Sequence, residues 1–200
     1  RDRLKICWST IPLGYPKAVN AGIQLASCEK IVLLNNDCIL LDQQKDSWVS
    51  LLMAAFESHE NCGIACITKL FSEAADTEFA VFYCAMIDRS VFNTIGLLNE
   101  DYGLGTGEDI EFSLLARRAG FKIVQIEDSV FNPDAGFWVN TYPLYHSAFG
   151  TMLDPELVSD FSTHYDRNLL KIAEKFNKQW FDCYNYGDFN YSRIKYSIVI

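Results

Sequence analysis

Ile31-Val32-Leu33-Leu34 is an unbroken apolar run that stops at Asn35-Asn36-Asp37. A half-exposed strand alternates apolar with polar residues, so four consecutive aliphatic residues, two of them β-branched, predict a parallel strand covered on both faces. Leu4 to Trp8 predicts a shorter strand ahead of it, and Ile11-Pro12-Leu13-Gly14-Tyr15-Pro16 a loop and helix start. Lys17 to Ser27 follows as a helix with Val19, Ile23 and Ala26 on one face, giving a β-loop-α-β opening. Ser47 is placed to cap a second helix whose Val49, Leu52, Met53 and Phe56 fall on one buried stripe. Gly63 to Ile67 and Phe79 to Ile87 predict further strands, and Asp88 caps a short helix that Gly96 ends. Strands alternating with helices at this spacing predict an α/β fold with a mostly parallel central sheet flanked by helices.

The second half carries Gly103-Leu104-Gly105-Thr106-Gly107-Glu108-Asp109, running directly into a helical segment that ends at Arg117-Arg118-Ala119-Gly120. Three glycines allow the loop to fold closely around a ligand, and Gly120 supplies a helix stop. Acidic residues in the first turn and basic ones in the last suit the helix dipole, which is also the pattern of an ordinary well-made helix.

Two hundred residues, 50% hydrophobic, suffice for one α/β domain with a helical C-terminal tail. The net charge of −9 argues against nucleic acid or an anionic membrane surface as partner. No run reaches the roughly 20 apolar residues of a membrane span, and Arg1-Asp2-Arg3 does not open a signal peptide. Seven cysteines, Cys28, Cys38, Cys62, Cys66 and Cys84 among them, lack CxxC pairing. They read as reduced thiols packed as small hydrophobes, which places the chain in the cytoplasm. The chain starts without methionine and ends in Tyr196-Ser197-Ile198-Val199-Ile200, as expected of a piece of a longer polypeptide.

Open α/β sheets bind ligands beyond the carboxyl ends of their strands. There Asp37 offers a hard oxygen ligand for magnesium or manganese, and Asn35 and Asn36 offer neutral hydrogen-bonding groups for a ribose or phosphate. The alternative is a simple turn, which Asn and Asp also favour. Asp109, behind the glycine loop, is positioned as a proton acceptor facing a cleft.

Taken in order, Gly14-x-x-Lys17-x-x-Asn20-x-Gly22, the LLNND of Leu33 to Asp37 and the GEDIEFSLLARRAGFKI of Gly107 to Ile123 resemble family 2 glycosyltransferases of the GT-A (Rossmann-like) fold. Tyr145 to Thr151 looks like the family's histidine-glycine segment, and Asn168 to Trp180 like its terminal helix. The resemblance implies a hexosyl- or deoxyhexosyltransferase, usually inverting. It would move sugar from a nucleotide-diphosphate sugar, a UDP-sugar favoured, to a hydroxyl of a glycan or glycoconjugate, with manganese or magnesium as cofactor. Residue by residue, it implies Asp37 and His146 as metal ligands, Asn35 and Asn36 as ribose or phosphate contacts, and Lys17 with Asn20 beside the diphosphate. Asp109 falls at the general base and Glu108 at an acceptor-hydroxyl contact. The glycosyltransferase domain would occupy residues 1–180, and 181–200 a tail or linker leading toward a further domain.

The pattern departs from the family at two places. The first Asp of the DxD motif is Asn35, and little of the usual nucleobase-binding part precedes Leu4, as if truncated or shortened. Lys195 to Ile200 looks like the first strand of another such module. These departures keep open a catalytically degenerate domain that binds glycan or scaffolds a neighbour. A nucleotidyltransferase would need a glycine- and basic-rich triphosphate loop near the start, which the sequence lacks. The aromatic stretch Phe137 to Tyr142 suits either stacking on an acceptor sugar or packing under the tail.

Overall fold

The computed structural model describes residues 4–126, 129–132, 137–140, 142–147 and 158–179. Helix α1 (Tyr15–Leu25) leads into β1 (Lys30–Leu34) and the short β2 (Cys38–Leu40), then α2 (Ser47–Ser58) and β3 (Cys62–Cys66). β4 (Lys69–Ser72) and β5 (Thr77–Ala80) form a hairpin ahead of β6 (Cys84–Asp88) and α3 (Arg89–Ile95). A 3-10 turn at Glu100–Tyr102 precedes α4 (Glu108–Arg118) and β7 (Lys122–Gln125). The antiparallel pair β8 (Ser129–Asn132) and β9 (Phe137–Asn140), then β10 (Leu144–His146) and α5 (Val158–Phe176), come after.

The central sheet has the order β1-β6-β3-β7. β1, β3 and β7 point one way, and β6 lies between β1 and β3 against both. The expected α/β fold with flanking helices is therefore present as a mixed sheet. Three of its four strands share a direction, yet two of its three ladders are antiparallel. The cause is connectivity: β3 reaches β6 through the β4–β5 hairpin rather than a crossover helix, and only an antiparallel neighbour can be joined that way over a short path.

Side chains alternate across the sheet with a period of two, and each parity has its own helical layer. Ile31 and Leu33 of β1, Ile64 and Cys66 of β3, and Ala85 and Ile87 of β6 pack with Ile23 of α1, Val91 and Phe92 of α3, and Phe112 and Ala116 of α4. Val32, Ala65, Cys84 and Met86 point the other way, against Leu52 and Ala55 of α2 and the buried Tyr142 and Leu144. Both faces are covered, which is why these strands read as continuous apolar runs. A third cluster sandwiches α4: its Ile110 and Leu114 meet Ile172 and Ala173 of α5 and Phe79 of the hairpin.

Several expected boundaries move. Leu4 to Trp8 is not a strand; Leu4 is 75% and Trp8 84% exposed, and no described strand pairs with the segment. Apolar content alone cannot make a strand without a neighbour's backbone groups. Phe79 to Ile87 is two strands, because its first part belongs to the hairpin and its second to the central sheet. Ser47 is the first residue of α2 rather than its cap: Asp46 holds the N-cap position with positive φ, and Gln43 Oε1 accepts from Ser47 Oγ at 2.8 Å and Trp48 N at 2.9 Å. Asp88 does cap α3, its side chain accepting from Ser90 N, and Gly96 ends it. The terminal helix begins at Val158, ten residues before the expected Asn168. Among the described residues no helix is long and apolar enough to cross a membrane.

Candidate functional site

The chain leaves β1 at Asn35 and turns back at once, Cys38 N donating to Asn35 O at 3.3 Å, to form β2. β2 pairs antiparallel with β10 over three rungs, and one of these sets Cys38 opposite His146. Directly opposed residues in an antiparallel pair share a face with Cβ atoms roughly 5 Å apart. That register brings together Asp37, Cys38 and His146, whose ligand atoms all lie within 4.8 Å of one another. Asp37 Oδ1 is 3.2 Å from His146 Nε2. Beyond that contact, this buried oxygen has no hydrogen-bond partner among the described residues. The His146 ring stacks on Tyr83, with centroids 4.2 Å apart and planes 3° from parallel.

Burial first, and the Asp37 carboxylate behind it, push the Cys38 thiol up. Asn35 is half-buried; its N–H donates to Tyr83 O at 2.9 Å, and its Oδ1 is buried without a partner. Asn36 is exposed. The structure thus sets Asp37 beside His146, with Asn35 two residues ahead at the end of β1.

The second half of the site is the glycine loop and the start of α4. Gly14, with φ of 76°, approaches the loop so closely that a Cβ there would sit 2.0 Å from Gly103 O. Only glycine fits that contact, and Tyr15 N then donates to Leu104 O at 3.2 Å. α5 fastens the same loop from the other side. The buried Asn168 Nδ2 reaches Tyr102 O at 3.1 Å, Gly105 O at 3.0 Å and Thr106 O at 2.9 Å. Two amide hydrogens serve three carbonyls, so at least one is shared. His164 Nε2 lies 2.5 Å from Tyr102 O, and Lys171 Nζ donates to Asp101 O at 2.8 Å. Asn168→Ala is expected to cost about 1–3 kcal/mol by taking this donor from the Gly105 and Thr106 carbonyls, while Tyr102 O keeps Gly105 N at 3.2 Å. A lower urea midpoint at unchanged slope checks it.

Glu108 and Asp109 open α4 from this anchored loop. Glu108 is buried with Oε2 unpartnered; burial, then the neighbouring Asp109 charge, push its carboxyl well above the ordinary range. Burial also pushes Asp109 up, opposed by the N–H groups of Ile110, Gly107 and Asp109 itself. Ile110 N donates to Asp109 Oδ1 at 2.8 Å. When two neighbouring carboxyls share a buried place, the one with more N–H support carries the charge. Asp109 is therefore the better proton acceptor and Glu108 the better neutral donor.

Tyr15 connects the two halves. Its hydroxyl donates to Phe82 O at 2.7 Å, beside the Tyr83 that stacks on His146. Burial raises its hydroxyl strongly, followed by the charges of Glu108 and Asp109 on one side and of Cys38 and Cys84 on the other. Neither Tyr15, Cys38 nor Asn168 stands out as a site residue in the sequence. Tyr15 sits inside the Gly14 to Gly22 motif, but nothing local shows that its side chain reaches position 82.

Lys17 and Asn20 are not drawn into this site. Lys17 is exposed on α1. Asn20 is buried and spends its amide on scaffolding: Nδ2 donates to Leu98 O and Glu100 Oε1, and Oδ1 accepts from Leu98 N at 3.0 Å. Cys62, Cys66 and Cys84 are buried free thiols as expected, whereas Cys7 and Cys28 are exposed. Tyr142 of the aromatic stretch is packed in the core, its hydroxyl donating to Trp48 O. The segments 148–157 and 180–200 lie outside the described residues, and with them the rest of the histidine-glycine segment, the tail and Lys195 to Ile200.

No protein-family model matches the chain, and no curated protein sequence does. Among solved structures it is similar to the mannosyltransferase PcManGT from Pyrobaculum calidifontis in complex with GDP-Man and Mn2+, at 15% identity and a TM-score of 0.45. That match covers 58% of this chain and 35% of the other, so this chain spans about a third of that protein's length.

Proposed function

We propose that this chain is a glycosyltransferase domain of the GT-A type, within family 2, that moves a sugar with inversion from a nucleotide-diphosphate donor to an acceptor hydroxyl. The observation that carries the reading is the 3.2 Å approach of Asp37 Oδ1 to His146 Nε2, two residues far apart in sequence that only the family resemblance pairs. A buried carboxylate oxygen without a hydrogen-bond partner beside an imidazole nitrogen fits a divalent cation. Such an ion, when bound, neutralises charge developing on the leaving diphosphate.

The remaining roles belong to the chain itself. Asn35 Oδ1, buried and unpartnered, is free to accept from a ribose hydroxyl. Asp109 takes the proton from the attacking hydroxyl as the new bond forms, and Glu108, held neutral, donates to the same acceptor. Asn168 and Gly14 act as positioning residues by fixing the loop in front of Asp109. The acceptor is a glycan or glycoconjugate, and a UDP-sugar is the first donor to try.

The test is direct incubation with UDP-, GDP- and dTDP-sugars, a divalent ion and a glycan acceptor array. Product mass identifies transfer, and the anomeric coupling in the product's proton NMR spectrum reads its configuration. An inverted product supports the reading; a retained one removes Asp109 as base of a single displacement. Because burial raises Asp109, the acid limb of kcat is expected above the range in which an ordinary carboxylate titrates, roughly pH 3.9. A pH–kcat profile at saturating donor checks it.

A further inference from the structure

We propose that Cys38 is a third donor to the ion at Asp37 and His146, and that its sulfur makes the centre a zinc site rather than a manganese or magnesium one. The inference rests on the reading of Asp37 and His146 as metal ligands. It turns on the strand register: Cys38 and His146 are directly opposed rungs of the β2–β10 ribbon, so their side chains leave the same face. Asp37 adds its carboxylate from the preceding position, and the three donor atoms lie within 4.8 Å of each other.

The donor spacing fits a small tetrahedral ion. Two ligands each about 2.0–2.1 Å from zinc stand roughly 3.3 Å apart at tetrahedral angles; Asp37 Oδ1 and His146 Nε2 are 3.2 Å apart. That oxygen is buried and, beyond its contact with the His146 ring, has no hydrogen-bond partner among the described residues. Stacking on Tyr83 fixes the ring plane, much as an outer partner orients a ligating histidine.

Donor chemistry decides the ion. Carboxylate and water suit manganese and magnesium, whereas a thiolate with an imidazole suits zinc or cobalt. Three protein ligands of mixed oxygen, sulfur and nitrogen type leave a fourth position for a substrate oxygen, as in catalytic zinc sites. Binding releases the Cys38 proton to solvent as the sulfur–metal bond forms.

The experiment titrates the full chain with cobalt(II) chloride alone, carrying Cys7→Ser and Cys28→Ser to remove the exposed thiols and Cys183→Ser to remove the cysteine outside the described residues. The expected result is a near-ultraviolet thiolate-to-cobalt charge-transfer band with tetrahedral visible bands. Adding Cys38→Ser removes the charge-transfer band and lowers zinc affinity about tenfold or more, while manganese affinity changes by less than about threefold. Cobalt bound in an Asp37-dependent way without that band, or with a band that persists in Cys38→Ser, overturns the role of Cys38 and leaves the Asp37–His146 reading standing. Cobalt binding that is absent, or indifferent to both Asp37→Ala and His146→Ala, overturns both. The charge-transfer band of the parent protein reports on Cys38 even if the Cys38→Ser chain folds poorly.

Discussion

Asp109→Asn is expected to lower transfer roughly 10²- to 10⁴-fold while leaving the donor dissociation constant within about twofold. The substitution keeps an oxygen where Asp109 Oδ1 accepts from Ile110 N at 2.8 Å, so the first turn of α4 and the glycine loop ahead of it stay in place. What disappears is proton acceptance, which matters only as the acceptor hydroxyl attacks. The loss corresponds to about 3–5 kcal/mol of transition-state stabilisation. Burial also gives the variant a stability signature of opposite sign. A carboxyl raised in the folded state holds its full stability below its unfolded pKa and loses it as pH rises through the folded value. At neutral pH the Asn variant should therefore melt higher than wild type, and the gap should close in acid. Equal losses of donor affinity and turnover would remove Asp109 from the role of base, and equal melting temperatures at every pH would remove its burial cost.

Asp37→Ala is expected to abolish ion-dependent donor binding, lowering affinity roughly a hundredfold or more, with the fold intact. The main chain at this position is what supports β10, through Ser147 N donating to Asp37 O at 3.0 Å, and alanine preserves it. The side chain instead spends its buried oxygen on no hydrogen bond. Its removal gives up the 3.2 Å approach to His146 Nε2 but no hydrogen bond that holds the fold. Calorimetry with manganese and with zinc, each in the presence of donor, measures the loss. Unchanged binding with either ion would place the cation elsewhere.

The strands buried on both faces were legible because Ile31, Val32 and Leu33 each face a hydrophobic layer, so apolar content marks them, although Leu34 at the strand end is 43% exposed. Leu4 to Trp8 has the same composition and is not a strand, because a strand also needs a neighbour. The reversal of β6 was illegible for a related reason: Phe79 to Ile87 reads as one run, and only the hairpin partner of its first part reveals the break. At the site, Asp37 and Asp109 sit at element ends, where local sequence already carries turn and helix signals. The placement of Cys38 against His146 depends on three rungs between distant segments, and a cysteine gives no sign whether it packs as a small hydrophobe or donates a sulfur. Asn20 shows the converse. Its position in an ordered motif suggested a ligand contact, while Leu98 and Glu100, far along the chain, take up its hydrogen bonds.

The central claim is a two-part site in which one strand end holds ion and donor and the start of α4 activates the acceptor. Titration of the intact chain with UDP-, GDP- and dTDP-sugars, with manganese or zinc and then with neither, tests it most directly. The account predicts that at least one donor binds when an ion is present and fails to bind without it. A chain that binds none of them under any of these conditions would contradict the account and leave the scaffold reading in its place.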